Sequence, residues 1–80
     1  MPRYYFDLKD SRGIFLDEEG SELPDMDAVQ NEAAKSLGDM TRDAARHSKG
    51  SAAEQMSIEV RDEAGPVMHV RFSFEIERKN

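Results

Sequence analysis

Carboxylate side chains are crowded into one short stretch of the sequence, residues 17–25. Its acidic members are Asp17, Glu18, Glu19, Glu22 and Asp25, and Gly20 lies among them. Calcium and magnesium ions bind clustered oxygen ligands, and a glycine allows the sharp turn that such a loop needs. The spacing departs from the Asp-x-Asp-x-Asp-Gly calcium loop with its glutamate at position twelve. A cation site in this acidic loop is therefore one hypothesis, with only weak motif support.

The same stretch has a structural interpretation, as a solvated connection that leads into a helix. Asp25 suits the N-cap position, because its side chain accepts hydrogen bonds from the first helical amides. Asp27 follows in the first turn, where a negative charge favours the positive end of the helix dipole. We prefer this interpretation, so the sequence predicts no bound metal and no cofactor.

The two histidines do not complete a metal or catalytic site. His47 follows Asp43 by four residues on one helix face, but a single pair cannot hold a metal ion. His69 lies far along the chain, on a predicted strand. The chain has no cysteine, and its local sequence supports neither a Ser-His-Asp grouping nor a glycine-rich phosphate loop. We therefore expect a protein that is not an enzyme.

Length and charge limit the class of protein further. The 80 residues predict one domain, 1–80, with a net charge of −6 and a small core. Residues 1–40 hold four Lys/Arg and ten Asp/Glu, whereas residues 41–80 hold seven of each. This acidic half argues against nucleic-acid binding through a broad phosphate-neutralising surface. The lack of a signal-peptide pattern, of a membrane-length apolar run and of cysteine predicts a cytoplasmic protein without membrane contact.

The most regular apolar pattern predicts an amphipathic helix over residues 25–46. Its apolar residues recur every three or four positions, as one helix face requires: Met26, Val29, Ala33, Leu37, Met40 and Ala44. Gly38 interrupts the helix, either to admit a neighbouring element or as a simple weak point. Basic residues at 46–49 and Gly50 predict where the helix ends.

Alternating apolar and polar residues predict four strands, arranged as one hairpin on each side of the helix. The first hairpin joins residues 3–8 to a short edge strand at 14–16, and the second joins 56–61 to 67–76. Residues 48–55 are expected to form a loop. The order β-β-α-β-β predicts an α+β two-layer sandwich, in which one long amphipathic helix covers a four-stranded, mainly antiparallel sheet. We expect the first and last strands at its centre, because they carry the most apolar residues.

The predicted architecture leaves one sheet face and the ends of the long elements open to partners. The last strand and the helix are expected to extend past the shorter strands and present apolar groups there. The open face could bring Tyr5, His69 and Arg71 to a nucleic-acid strand, although its acidic residues favour an ordinary solvated face. The candidate interaction surface comprises Tyr5, Phe15, Met40, Ala44, His69, Arg71, Phe74 and Ile76.

Four stretches of the sequence form a recognisable set, with the alanine-containing helix between them: Pro2-Arg3-Tyr4-Tyr5-Phe6, Asp17-Glu18-Glu19-Gly20, Glu22-Leu23-Pro24-Asp25 and Ile58-Glu59-Val60-Arg61-Asp62-Glu63-Ala64-Gly65. Together they resemble a family of short uncharacterised proteins common in rhizobia and other alphaproteobacteria. The resemblance brings no assigned activity. Family members often carry a histidine where this chain has Asp7, so no role of that histidine is transferred.

At the level of architecture, a small sheet before an alanine-rich helix is also similar to the antitoxin half of HicAB toxin–antitoxin pairs. This chain differs in having two predicted strands before the helix and no appended DNA-binding segment. We expect a non-catalytic protein-interaction module that forms a homodimer or binds another protein. The alternative is an antitoxin-like or regulatory protein that binds a toxin or nucleic acid.

Overall fold

A computed structural model describes residues 1–47 and 52–79 of the chain. The elements in order are β1 (Arg3–Asp10), β2 (Gly13–Phe15), β3 (Ser21–Glu22), α1 (Met26–Arg46), β4 (Ala52–Asp62) and β5 (Gly65–Ile76). The strands pair antiparallel in the order β2-β1-β4-β5, and β3 pairs with the start of β1. Since α1 packs on one face of this sheet, the predicted α+β two-layer sandwich is confirmed.

The core lies between α1 and the inner face of β1 and β4. Val29, Ala33 and Leu37 of α1 are buried, as the predicted apolar stripe requires. They face the buried residues of the sheet, which are Tyr4, Phe6, Met56, Ile58 and Val60. Every second strand residue reaches this face because successive side chains point to opposite sides of a sheet. In the described part of the chain, no helix is long and apolar enough to cross a membrane.

The ends of α1 follow from local capping. Asp25 is the N-cap, as predicted, and its carboxylate accepts a hydrogen bond from a first-turn amide at 2.8 Å. The helix ends at Arg46, with His47 as C-cap. Gly50, which was expected to close the helix, lies outside the described residues. A Cβ built on Gly38 would have nothing within 4 Å, so no neighbouring element approaches the helix closely there.

The strand order differs from the prediction. β1 and β4 form the centre of the sheet, and β5, which was expected there, is an edge strand. Because α1 contacts β4 more than β5, Met56, Ile58 and Val60 of β4 are buried, whereas the apolar residues of β5 are half-buried or exposed. The number of apolar residues in a strand therefore did not decide its place in the sheet.

Two further strand segments were not predicted. Residues 52–55, expected in a loop, extend β4 because they pair with the last four residues of β5. The rest of that expected loop, residues 48–51, lies outside the described part of the chain. β3 forms within the acidic stretch, so the sheet has five strands and not four.

β4 and β5 continue past the end of β1 as a two-stranded ribbon. The pairing of β1 with β4 stops at Ser57, whereas β4 pairs with β5 as far as Ala52 and Ile76. The expected projection of the last strand is therefore present, although β4 projects with it. Met40 of α1 and Phe74 of β5 both pack against the core, so these expected projecting groups are half-buried.

Candidate functional site

The acidic loop crosses a gap in the sheet beside β1. β3 pairs with the start of β1 and β2 pairs with its end, and among the described residues no strand pairs with this edge between Tyr4 and Leu8. Asp17 fills the gap, because its Oδ2 accepts a hydrogen bond from the Phe6 amide at 3.1 Å. A strand amide needs such a partner, so this carboxylate takes the place of a neighbouring strand's carbonyl.

The other oxygen of the Asp17 carboxylate holds the loop in a tight turn. Oδ1 accepts hydrogen bonds from the amides of Glu19 at 3.1 Å and Gly20 at 3.0 Å. Gly20 has φ +73, and a Cβ there would lie 2.9 Å from both Arg3 Cγ and Tyr5 Cε1. The loop therefore lies so close to β1 that a glycine is required at this position.

Asp7 and Arg61 connect this loop to the centre of the sheet. Arg61 Nε donates to Asp7 Oδ2 at 2.8 Å, and Asp7 Oδ1 accepts the Asp17 amide at 2.9 Å. Arg61 Nη2 also donates to the Asp17 carbonyl at 3.0 Å. The guanidinium carbon lies 4.6 Å from the centroid of the Tyr5 ring, within cation–π range. The side chain of Asp7 is only 12% exposed, so this ion pair is better shielded than an ordinary surface pair.

Both carboxyl groups of the network are held in their ionised form. Desolvation raises the pKa of Asp7, but the hydrogen bonds from Arg61 and from the Asp17 amide, with the Arg61 charge, leave it below its ordinary value. Desolvation also raises the pKa of Asp17, and hydrogen bonds from three backbone amides outweigh it, so that pKa is lowered as well. Groups that stay ionised across neutral pH are acceptors of hydrogen bonds, whereas a general acid or base needs a pKa near the working pH.

The remaining acidic residues of the loop have separate partners or face solvent. Glu22 accepts a hydrogen bond from Arg3 at 3.3 Å, and Asp25 caps α1. The side chains of Glu18 and Glu19 are exposed. In the described part of the chain, no group of three His, Cys, Asp or Glu side chains is arranged to hold a metal ion. The structure therefore uses the candidate acidic loop for contacts with β1 and α1.

The candidate residues of the open sheet face lie in different rows of the sheet. Tyr5 lies opposite Arg61 and is half-buried beneath its guanidinium. Arg71 lies on β5 two rows away, opposite Ser57, and His69 occupies the row between. Both β5 residues are exposed. The structure thus brings His69 and Arg71 together on one strand and separates them from Tyr5.

The apolar candidate residues do not form one surface, because they are divided between the two edges of the sheet. Met40 and Ala44 are half-buried on α1, and Phe74 and Ile76 are half-buried on the ribbon end of β5. Phe15 lies on β2 at the other edge of the sheet and is 50% exposed. Phe15 is therefore not part of one surface with the other apolar candidates.

Sequence reasoning missed an exposed aromatic residue and the charged network. Phe72 follows the apolar alternation of the last strand and was not among the candidate residues, but it is 41% exposed because β5 is at the sheet edge. Asp7 and Arg61 were not among the candidate residues either. The sequence does place opposite charges on the two strands. Asp7 and Arg61 are diagonal neighbours, however, and only the register of β1 against β4 shows that they meet.

Comparison with known proteins assigns a family to this chain. Neither the curated proteins nor the solved structures gave a match to it. The family described as Domain of unknown function (DUF6894) matches residues 3–73, which include Asp7, Asp17 and Arg61. The expected membership of an uncharacterised family is confirmed by this match, which covers most of the sequence. This chain therefore belongs to the DUF6894 family.

Proposed function

We propose that this chain is a non-catalytic protein-interaction module that self-associates. The observation that carries the proposal is β5, a strand of 12 residues at the end of the sheet order. Among the described residues, no strand pairs with its outer edge. Unpaired amides and carbonyls along such an edge are a template for a strand from another chain.

The side chains of β5 support this proposal. Natural sheets protect their edges with prolines, inward-pointing charges or a covering loop. In β5 the only proline, Pro66, lies at the beginning of the strand, and the residues that face the helix side from Met68 to Ile76 are apolar. Phe72 and Val67 are 41% and 37% exposed. The edge therefore combines backbone pairing groups with apolar surface.

The contacts of the polar residues support a role without catalysis. The carboxylates of Asp7 and Asp17 are engaged by Arg61 and by backbone amides, and their pKa values are lowered. Groups in this state stabilise the fold and stay ionised near neutral pH, where a general acid or base needs a pKa close to the working pH. We also propose the cytoplasm as its compartment, because a chain without cysteine does not depend on an oxidising one.

Self-association can be tested with two differently tagged copies expressed together in an alphaproteobacterial host, the source that the sequence resemblance implies. We expect one tag to retain the other copy, and the purified chain to sediment above its monomer mass of 9.1 kDa. An unrelated small protein carrying the second tag is the control. If the chain sediments as a 9.1 kDa monomer at every concentration and neither tag retains the other, self-association is wrong.

A regulatory protein that binds nucleic acid is the second candidate function, because a basic row crosses the open face. The strand register aligns Lys9, Ser57 and Arg71, and these residues line a depression of about 790 Å³ together with the acidic Asp10 and Glu54. Basic side chains of this kind bind phosphates in a salt-dependent way. Fluorescence anisotropy with single-stranded RNA and DNA at two salt concentrations tests this function. Binding that Arg71→Ala abolishes and Lys35→Ala preserves would favour it, and no binding at low salt would remove it.

A further inference from the structure

We propose that the outer edge of β5 pairs with β5 of a second copy of this chain, antiparallel, about a two-fold axis that passes beside Ser73. This inference rests on the proposed self-association and adds the strand and the register. An axis perpendicular to the sheet joins the two sheets into one and places both helices on the same face. Such an interface is closed, because each copy offers the same strand to the other.

Alternation along β5 limits the registers that are open to a two-fold pair. Directly opposite residues of an antiparallel pair lie on the same sheet face. The two-fold axis must therefore pass beside a residue and not between two residues. The odd-numbered polar residues of one copy then lie opposite those of the other, and the even-numbered apolar residues lie opposite one another. A register centred between two residues would set Arg71 or Glu75 against apolar side chains.

The charges of β5 select the centre at Ser73. This register sets Arg71 of one copy opposite Glu75 of the other, and symmetry repeats the pair. Within one chain, Arg71 and Glu75 lie opposite uncharged residues of β4. Their oppositely charged cross-strand partners would come from the second copy. A centre at Arg71 would oppose two like charges, and a centre at Phe72 would set Arg71 against Ser73.

The apolar residues of β5 agree with the same centre. Phe72 of one copy lies opposite Phe74 of the other, and Val70 lies opposite Ile76. Phe72 is 41% exposed in the single chain although it belongs to the helix-covered face. An aromatic partner across the edge would cover the exposed part of its ring. The opposite sheet edge, β2, has only 3 residues and offers a much shorter template.

The register can be tested with a disulfide, because the chain has no cysteine of its own. Ser73→Cys would place two thiols opposite each other across the axis, with Cα atoms about 4.5–5.5 Å apart. A disulfide spans this separation. We expect mild oxidation to give a covalent dimer. The control is Gln55→Cys, which lies opposite Ser73 on β4, one strand further from the interface, and which should give no covalent dimer.

Charge reversal provides the second test. Arg71→Glu or Glu75→Arg alone would set like charges opposite each other, and we expect each to raise the dimer dissociation constant roughly tenfold. The double variant should restore dimerisation, because both pairs become attractive again. Both residues are exposed, so the fold is retained, which circular dichroism checks. Lys35→Glu on the exposed side of α1 makes the same charge change away from the edge and should leave the dimer unaffected.

The outcomes separate this inference from the proposed function. A dimer that resists charge reversal and does not cross-link through Ser73→Cys would overturn the β5 register and leave self-association intact. A 9.1 kDa monomer at every concentration would overturn both. Species that grow beyond the dimer would show contacts between unlike edges, and would overturn the two-fold pairing.

Discussion

Arg61 on β4 donates from Nε to Oδ2 of Asp7 on β1 at 2.8 Å, although the two residues lie diagonally across the strand pair. The second oxygen of Asp7 binds the Asp17 amide, so one carboxylate joins the sheet centre to the acidic loop. Asp7 and Arg61 are separated by 54 positions in the chain. The contacts of Arg61 with Asp7 and with the Asp17 carbonyl therefore form only when β1 and β4 have paired.

Replacing Arg61 should destabilise the fold. Arg61→Ala removes the partner of a carboxylate that is only 12% exposed, and we expect the free energy of unfolding to fall by clearly more than in the control below. Arg42→Ala is the matched control, because Arg42 pairs with Asp39 on the exposed surface of α1, and its loss should cost less than about 0.5 kcal/mol. Urea unfolding followed by circular dichroism measures both. Equal losses would mean that the Arg61 contact has no special role.

Stability should fall in acid, as the lowered pKa values of Asp7 and Asp17 require. In the unfolded chain the pKa of an aspartate is about 3.9. Between that pH and the lower pKa of the folded state, the unfolded state binds more protons, so stability rises with pH. The contribution is complete above the unfolded pKa and is lost as the pH falls through the folded pKa.

We therefore expect urea midpoints to be nearly constant from about pH 7 to 5 and to fall below about pH 4. Asp7→Asn should lower the midpoint at neutral pH and make the fall in acid shallower. Part of the fall of the midpoint in acid should remain in this variant, because the hydrogen bond from Arg12 lowers the pKa of the Asp10 carboxyl as well. An Asp7→Asn variant with the same acid slope as the unmodified chain would show that the pair does not contribute to it.

The same substitution at two glycines should have opposite effects. At Gly20, with φ +73, an added Cβ would lie 2.9 Å from Tyr5 Cε1, so Gly20→Ala should destabilise by about 1–3 kcal/mol. At Gly38 an added Cβ meets nothing within 4 Å, so Gly38→Ala should stabilise the helix by about 0.5–1 kcal/mol. Thermal unfolding of both variants measures the effects. Stabilisation by Gly20→Ala would contradict the close packing of the loop on β1.

A charge in the core should unfold the domain. Leu37 is 6% exposed, and Leu37→Asp would lose about 2–5 kcal/mol of packing in addition to burying a carboxylate. Small domains have little stability to spare. Ala34→Asp, on the exposed side of the same helix, should remain folded. Far-ultraviolet circular dichroism and the dispersion of amide proton signals distinguish the two, and a folded Leu37→Asp variant would contradict the packing of α1 on the sheet.

The local features of the fold were predictable because they depend on residues close together in the chain. The apolar spacing of α1 places Val29, Ala33 and Leu37 on one face, whatever the helix packs against. Asp25 caps the helix through a neighbouring amide, and alternation identifies the inner face of β1. Residues 52–55, two alanines followed by Glu54 and Gln55, gave no such signal, because their strand forms through pairing with β5.

The candidate sites depend on contacts between distant segments. The edge position of β5 follows from the packing of α1 over β4, and exposed Phe72 follows from that edge position. The Asp7–Arg61 pair depends on the register of β1 against β4, where a shift of one residue would turn Arg61 to the other face.

The sequence by itself determined the helix, its cap, the alternating strands and the α+β class, since each is a matter of local periodicity. Only the tertiary structure decided the strand order, the use of Asp17 and Gly20 beside β1, and the uncovered edge of β5. The physical reason is that strand pairing joins segments far apart in the chain, and the packing of the whole core selects among the possible pairings.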